Sequence, residues 1–166
     1  MQLDLYHLMA QALLEAEKAY LKGEVPVGAV LADPEGHILT RAHNQPISLC
    51  DPTAHAEILV IRKACRIKGN YRLKRCLLVT TIEPCIMCMG TAIHARVSKL
   101  VFGAHDVKAG AAGSLYDLPR DNRLNHRMEV ISGVMADECR DLMISFFQAR
   151  RGKERSPNLG EVPKWS

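Results

Sequence analysis

Two short stretches of the sequence hold residue types that bind metal ions. DPTAHAEILVIRK places His55 and Glu57 two positions apart at the start of an apolar run that is typical of a helix. EPCIMC places Cys85 and Cys88 three positions apart, which is about one turn of a helix. At a helix start, the positive end of the dipole favours the thiolate, which is the form that binds metal. The two stretches together predict a zinc site.

The number of protein ligands distinguishes a catalytic zinc site from a structural one. His55, Cys85 and Cys88 would leave the fourth position open for water, as in a catalytic site. Water activated there needs a carboxylate that moves its protons, and Glu57 is the obvious candidate. A structural site needs a fourth protein ligand instead, for which the sequence offers only single cysteines. These are Cys50, Cys65, Cys76 and Cys139.

The length and composition of the chain indicate one globular domain. Its 166 residues are a common domain size, and 48% hydrophobic with 24% charged residues is ordinary for such a domain. No apolar run reaches the ~18 residues that a membrane span needs. The first residues, MQLDLYHLMAQ, include Asp4 and no basic segment, which argues against a signal peptide. We therefore expect a cytoplasmic protein whose six cysteines are free thiols or metal ligands.

Hydrophobic periodicity and turn residues predict helices that alternate with strands. The predicted helices are 4–22, 54–67, 85–95 and 135–151, and the predicted strands are 25–32, 37–43, 76–82, 99–104 and 128–133. We expect Thr53 to cap the second helix and Pro84 to open the third. This order predicts an α/β fold, a three-layer α/β/α sandwich around one mixed five-stranded sheet. The domain is expected to cover 1–151, followed by a loose tail at 152–166.

The two metal-binding stretches combine into a longer motif. His-x-Glu, followed about 26 residues later by Pro-Cys-x-x-Cys, is the motif of the zinc-dependent cytidine and adenosine deaminases. HNQPI, NYRL, VFGAHDVKAGAAGS, LNHRMEV and the helix ADECRDLM…FFQARR further resemble the bacterial tRNA-specific adenosine deaminases. The resemblance covers nearly all of residues 4–151. It implies a cytidine deaminase-like fold and a homodimer.

The resemblance also implies a reaction and a substrate. One Zn²⁺ per chain would be held by His55, Cys85 and Cys88, and the hydroxide that it generates from water would attack C6 of adenine. Glu57 would act as the proton shuttle while ammonia leaves and inosine forms. The implied substrate is the wobble adenosine of a tRNA anticodon stem-loop, with arginine tRNA bearing the ACG anticodon expected. No organic cofactor and no membrane partner are expected.

Six further residues are expected to contact the substrate, and two of them, Asn44 and Asp106, match contact residues of the family. The six are Asn44, Asp106, Lys108, Phe147, Arg150 and Arg151. Asn44 would hydrogen-bond the flipped purine, although a turn residue after a strand explains it equally well. Asp106 would accept a hydrogen bond from the 2′-hydroxyl of the preceding nucleotide, or would cap a loop. The three basic residues would face phosphates or flanking bases. Phe146 or Phe147 would stack on a neighbouring base or pack the last helix, and packing is favoured for at least one of them.

Two other functions stay open on the sequence. A related deaminase acting on free bases or nucleosides would carry the same zinc ligands, and a zinc-stabilised binding module would add a fourth protein ligand. The run at 62–75 holds seven Lys or Arg and no acid, which favours RNA, although a solvated helix end has the same pattern. His105 stands where many relatives carry arginine, which weakens one phosphate contact and leaves the catalytic residues unaffected.

Overall fold

The computed structural model describes residues 4–154, and the predicted fold class is confirmed by its single mixed five-stranded sheet. The strands are β1 Gly28–Ala32, β2 Ile38–His43, β3 Leu77–Ile82, β4 Lys99–Ala104 and β5 Glu129–Ser132. The α-helices are α1 Leu5–Leu21, α2 Pro46–Leu49, α3 Ala56–Lys68, α4 Ile86–His94 and α5 Ala136–Glu154. A short 3-10 helix covers Leu118–Arg120.

The strands lie in the order β2-β1-β3-β4-β5. β1 runs antiparallel to both of its neighbours, whereas β3, β4 and β5 run parallel to one another. All six residues of β3 are buried, as expected for a central strand that is covered on both faces and reads as one apolar run. Because β1 is the only reversed strand of this sheet in the described chain, β2, β3, β4 and β5 all end at the same edge.

Helices cover both faces of the sheet. α1 and α5 pack on one face, and α3 packs on the other face with α4 beside it. α1 approaches β1 so closely that a Cβ atom at Gly28 would lie 1.9 Å from the carbonyl oxygen of Ala12. Phe102 and Leu78 are among the largest fully buried side chains, which places the main core around β3 and β4. Burial of this apolar surface on both faces is the main source of stability.

The edge where four strands end gathers the predicted site residues. Asn44 directly follows β2, Cys85 follows β3 after two residues, and Asp106 follows β4 after one. The backbone N–H of Glu83 donates to the carbonyl of Ala104 at 2.9 Å, which ties the ends of β3 and β4 together. In open α/β sheets, ligands bind beyond the carboxyl ends of the strands, and this edge is the corresponding place here.

Two predicted helix starts were wrong, because α3 begins two residues and α4 one residue after the predicted positions 54 and 85. α3 is capped by His55, and the Thr53 hydroxyl donates instead to Asp51 Oδ1 at 2.7 Å. α4 is capped by Cys85, so Pro84 lies before the helix. The local reason is the same in both places, because the chain stays extended until the metal-binding side chain has been placed and only then becomes helical.

Two segments outside the predicted helices and strands contain helical residues. The segment 44–53, between the predicted strand 37–43 and the predicted helix 54–67, contains the short helix α2, which begins with Pro46. α5 continues to Glu154, three residues into the predicted tail, and residues 155–166 lie outside the described residues. Among the described residues, no helix combines the length and the apolar character that crossing a membrane requires.

Candidate active site

The N-terminal ends of α3 and α4 meet at the carboxyl edge of the sheet. His55 is the N-cap residue of α3 and Cys85 is that of α4, and neither side chain makes a capping hydrogen bond. Cys88 lies in the first turn of α4 and is buried. Since both helix dipoles direct their positive ends here, the edge favours thiolates and other anions.

The side chains of His55, Cys85 and Cys88 form a group with the dimensions of a tetrahedral zinc site. Nδ1 of His55 lies 3.7 Å from Sγ of Cys85 and 3.5 Å from Sγ of Cys88, and the two sulfurs are 3.6 Å apart. A tetrahedral Zn²⁺ with ordinary bond lengths separates two sulfurs by about 3.8 Å and a nitrogen from a sulfur by about 3.6 Å. The three donors therefore fit Zn²⁺ in both chemistry and spacing.

The two thiols differ in their readiness to ionise. Hydrogen bonds from Cys88 and, to a smaller extent, from His55 lower the pKa of the Cys85 thiol to about 4, against the opposing effect of burial. The hydrogen bond to Cys85, reinforced by burial, raises the pKa of Cys88. The hydrogen bond to Cys85 also raises the pKa of His55. Cys85 is thus the thiolate of the pair, and a divalent cation would supply the charge needed to ionise the second thiol.

The four remaining cysteines take no part in this group. Cys50 and Cys65 hydrogen-bond the carbonyl oxygens of Ile47 and Tyr71, and Cys139 contacts Met9 in the core. All six cysteines lie in the described part of the chain, and none of them forms a disulfide there. Among the described residues, no fourth side chain joins the group of His55, Cys85 and Cys88. The fourth protein ligand that a structural zinc site needs is therefore not found there.

Glu57 lies in the first turn of α3 with its carboxylate against the metal-binding group. The residue is only 3% exposed, and its Oε2 atom has no hydrogen-bond partner among the described residues. Burial raises the pKa of Glu57 to about 7, although its hydrogen bond with Cys88 and the charge of His55 oppose that rise. A carboxyl group that titrates near neutral pH can accept and return a proton under physiological conditions.

Asn44 is buried at the end of β2 and is oriented by the backbone of α3. Its Oδ1 atom accepts a hydrogen bond of 2.8 Å from the backbone N–H of Ala56, the first residue of that helix. Its own N–H donates to the carbonyl of Val27 at 3.0 Å. The Nδ2 group makes no hydrogen bond with the described residues, so both of its hydrogens can be donated to a ligand. Asn44 therefore has a structural role at the end of β2, and its Nδ2 group is available for the predicted donor role, which stays a prediction.

Asp106 likewise uses one carboxylate oxygen for the fold. Its Oδ1 atom accepts hydrogen bonds from the backbone N–H groups of Lys108 at 2.9 Å and of Ala109 at 3.2 Å, which holds a tight turn. Its Oδ2 atom makes no hydrogen bond with the described residues. The side chain is partly exposed, and the predicted loop cap is confirmed at Oδ1 while Oδ2 can accept from a ligand.

The other predicted RNA contacts lie on the surface. Phe147 is 43% exposed, whereas its neighbour Phe146 is 4% exposed and packs in the interior. The guanidinium of Arg150 lies 5.5 Å from the centre of the Phe146 ring. Lys108 and Arg151 are also exposed. Among the described residues, none of these four side chains hydrogen-bonds the metal-binding group, and their contact with RNA stays a prediction.

Glu83 is a buried carboxylate that the sequence reading did not single out. It directly precedes Pro84 and Cys85, and its acceptor oxygens receive hydrogen bonds from the segment that follows β4, residues 105–114. Burial raises its pKa, but hydrogen bonds from Ser114, Asp106 and Ala112 outweigh burial and hold the pKa below its ordinary value. The detectable signal was an acid at the end of an otherwise apolar strand, next to a metal-binding motif.

Comparison with known proteins assigns this geometry to a family. Residues 3–104 match the cytidine and deoxycytidylate deaminase zinc-binding region. The tRNA-specific adenosine deaminase of Bacillus subtilis (strain 168) is 46% identical over 155 residues, which cover 92% of this chain and 96% of that protein. The chain belongs to the tRNA-specific adenosine deaminase family.

Two solved structures extend the comparison. A structure from studies of A-to-I editing by tRNA:A34 deaminases at the wobble position of transfer RNA is 40% identical, with a TM-score of 0.79. The alignment covers 82% of this chain and 98% of that one. Guanine deaminase from Bacillus subtilis is 31% identical, with a TM-score of 0.60, and the alignment covers 97% of this chain and 100% of that one. The tRNA-specific adenosine deaminase family thus shares its fold with free-base deaminases.

Membership of the tRNA-specific adenosine deaminase family makes the chain a zinc-dependent hydrolytic deaminase. The matched region of the family is zinc-binding, and the group of His55, Cys85 and Cys88 lies where that zinc can be held. The predicted cofactor and the predicted enzyme class are confirmed. A binding module without catalysis does not agree with this family or with the buried carboxylate of Glu57.

Proposed function

We propose that the protein converts the wobble adenosine of a tRNA anticodon to inosine, with arginine tRNA bearing the ACG anticodon as the expected substrate. The observation that carries the proposal is Oε2 of Glu57, a buried carboxylate oxygen without a protein partner beside three zinc ligands. A buried polar atom without a partner is costly unless a ligand or water satisfies it. Family membership supplies the substrate class, since the relatives are named for tRNA adenosine deamination.

The chemistry of the site depends on the metal and on one carboxylate. His55, Cys85 and Cys88 would hold Zn²⁺, which when bound would act as a Lewis acid and make water nucleophilic near neutral pH. Glu57 accepts a proton from the attacking water and delivers it to N1 of adenine. It then helps the C6 amino group to leave as ammonia. The overall change consumes one water, releases one ammonia and leaves inosine.

Two residues recognise the flipped nucleotide and its neighbour. Asn44 donates a hydrogen bond from Nδ2 to the purine, because its Oδ1 atom is held by Ala56. Asp106 accepts a hydrogen bond at Oδ2 from the 2′-hydroxyl of the preceding nucleotide, because its Oδ1 atom is held by the turn at Lys108. The 2′-hydroxyl is the group that distinguishes RNA from DNA, so Asp106 gives the enzyme its preference for RNA.

The surface residues extend the contact along the RNA. Lys108, Arg150 and Arg151 neutralise phosphates, and Phe147 stacks on a flanking base. We also propose that the enzyme works in the cytoplasm as a homodimer. Large exposed apolar side chains support an association surface, among them Ile86 at 54% and Val107 at 76% exposure. The molar mass of the protein in solution, measured by light scattering, tests the dimer.

Deamination of a free base is the second candidate, and the likeness to guanine deaminase favours it. In the test, the purified protein is incubated with an anticodon stem-loop that carries a wobble adenosine and, separately, with adenine, adenosine, guanine and cytosine. Inosine formed in the stem-loop alone is the expected result, and turnover of a free base alone would overturn the proposal. Affinity for the stem-loop should also fall steeply with added salt, because phosphate contacts release counterions.

A further inference from the structure

The carboxylate of Glu83 holds the segment 105–114 (the reading loop) in place. The side chain of Glu83 is 0% exposed at the end of β3. Oε1 accepts from the backbone N–H of Ala112 at 2.9 Å and of Ser114 at 3.0 Å. Oε2 accepts from the backbone N–H of Asp106 at 3.0 Å and from the hydroxyl of Ser114, and it lies 3.3 Å from Nδ1 of His105. One carboxylate thus binds both ends of the loop.

The hydrogen bonds of Glu83 leave it little freedom to move. A buried carboxylate is tolerated only when its oxygens are satisfied, and here every donor comes from the reading loop. A Cβ atom at Gly110 would lie 2.4 Å from the Glu83 carboxylate, so the middle of the loop also lies against it. The N–H of Ala111 donates to the carbonyl of Pro84 at 2.8 Å, beside the metal-binding Cys85.

The same contacts determine where the free oxygen of Asp106 lies. The backbone N–H of Asp106 is bound by Glu83, and its Oδ1 atom is bound by the turn that follows. Only Oδ2 is left to face the substrate. Glu83 is separated from Cys85 by a single proline. The position of the Asp106 Oδ2 atom is therefore fixed relative to that of a zinc ligand.

We infer that Glu83 is a positioning residue that fixes the distance between the zinc group and the 2′-hydroxyl acceptor on Asp106. This inference rests on the proposed function, in which Asp106 reads the sugar of the preceding nucleotide. Among the described residues, Glu83 hydrogen-bonds the loop and none of His55, Cys85 and Cys88. It sets the ribose preference of the enzyme through the loop.

The test replaces the acceptor and follows the loop and the substrate preference separately. Glu83→Gln keeps the size of the side chain but turns one acceptor into a donor that faces N–H groups, whereas Glu83→Asp keeps two acceptors at a shorter reach. We expect Glu83→Gln to accelerate hydrogen exchange at the amides of residues 106, 112 and 114. KM for the stem-loop should rise about 10-fold with kcat nearly unchanged. Glu83→Asp should restore part of the loss.

The ribose preference gives the readout that a merely structural role would not change. Stem-loops with ribose or 2′-deoxyribose at the nucleotide before the target are compared. Glu83→Gln should lose as much of this preference as Asp106→Asn does, and the double variant should lose no more, because both act through one contact. Zinc content should stay at the wild-type value. The matched control is Glu15→Gln, which removes another buried carboxylate that binds His43 and should leave the preference unchanged.

Two results would overturn the inference. One is a rate of hydrogen exchange in the loop of Glu83→Gln that equals that of the wild type, and the other is a ribose preference that Glu83→Gln retains. If Glu83→Gln does not fold, Ser114→Ala removes one donor only and should shift both readouts in the same direction. If the wild-type protein fails to deaminate the stem-loop, the proposed function fails, and the exchange measurement alone decides whether Glu83 anchors the loop.

Discussion

His55 and Cys85 are the N-cap residues of two different helices, and their Nδ1 and Sγ atoms lie 3.7 Å apart. Side chains at this position usually accept hydrogen bonds from their own helix. These two side chains face each other instead, so that the positive ends of two helix dipoles lie beside the three metal donors. The core of the sheet fixes both helices and thereby holds the three donors together.

Removal of a zinc ligand should abolish both metal binding and activity. Cys88→Ala is expected to lose bound zinc and to lower kcat at least about 10³-fold, because two remaining donors hold Zn²⁺ weakly. Zinc per chain is measured by elemental analysis. Cys65→Ala is the matched control, since its thiol binds the carbonyl of Tyr71 and not the metal group. Full zinc content in Cys88→Ala would contradict the assignment.

Replacement of Glu57 should separate chemistry from metal binding. Glu57→Gln should keep zinc and lower kcat about 10²–10⁴-fold, because the amide cannot carry the proton. The melting temperature should not fall, since burial disfavours the ionised form of Glu57 and the amide removes that penalty. Single-turnover deamination and elemental analysis measure the two effects. A variant with full zinc and wild-type kcat would exclude Glu57 as the proton carrier.

Asp106 should control the preference for RNA. Asp106→Asn keeps an Oδ1 acceptor for the turn at Lys108 and Ala109 but replaces the free acceptor by a donor. We expect kcat/KM on the ribose stem-loop to fall about 10–100-fold, the usual effect of losing a hydrogen bond to a charged group. The 2′-deoxy stem-loop should be affected much less. Equal losses on both substrates would argue against the sugar contact.

Glu24 should make the fold sensitive to acid. Burial raises its pKa, but hydrogen bonds from Ser48 and Ile47 outweigh burial and hold the pKa below its ordinary value. Because the pKa of Glu24 is lower in the folded than in the unfolded protein, its ionisation stabilises the fold at pH values above the unfolded-state pKa of 4.5. This stabilisation is lost as the pH falls through the folded-state pKa. Glu24→Gln should therefore be less stable than wild type at pH 7.

The difference between Glu24→Gln and wild type should shrink as the pH falls below the unfolded-state value of 4.5, because the wild-type carboxylate then becomes protonated. Urea midpoints at pH values above and below this value measure it. The control is Glu17→Gln, which removes a charge from an exposed position of α1. A stability difference that does not depend on pH would show that the Glu24 hydrogen bonds do not require its charge.

Gly28 should be essential for the packing of α1 on the sheet. In Gly28→Ala, the new methyl group would lie 1.9 Å from the carbonyl oxygen of Ala12 and 2.5 Å from the nitrogen of Ala16. The helix must move away, and the free energy of unfolding should fall by about 1–3 kcal/mol or more. Denaturant unfolding measures the loss. At Gly90 in α4, an added Cβ atom would meet no neighbouring atom. The free energy of unfolding of Gly90→Ala should therefore stay within about 1 kcal/mol of the wild-type value.

The zinc ligands could be predicted from the sequence because they depend on residue type and short spacing. Cys85 and Cys88 are one helical turn apart wherever a helix begins near them. The bounds of β4 were also predicted correctly, since Lys99–Ala104 is a compact apolar run between polar segments. The helix starts at His55 and Cys85 could not be predicted from capping rules. Their side chains serve the metal site, and Thr53 binds Asp51 instead.

The sequence by itself determined the three metal donors, the nearby acid and the order of helices and strands, because these are properties of local spacing and periodicity. Only the tertiary structure decided that Asn44 and Asp106 each keep one polar atom free. It also decided that Glu83 binds a loop more than twenty residues further along the chain. Such pairings follow from the common edge at which β2, β3 and β4 end, and no local pattern specifies which groups meet there.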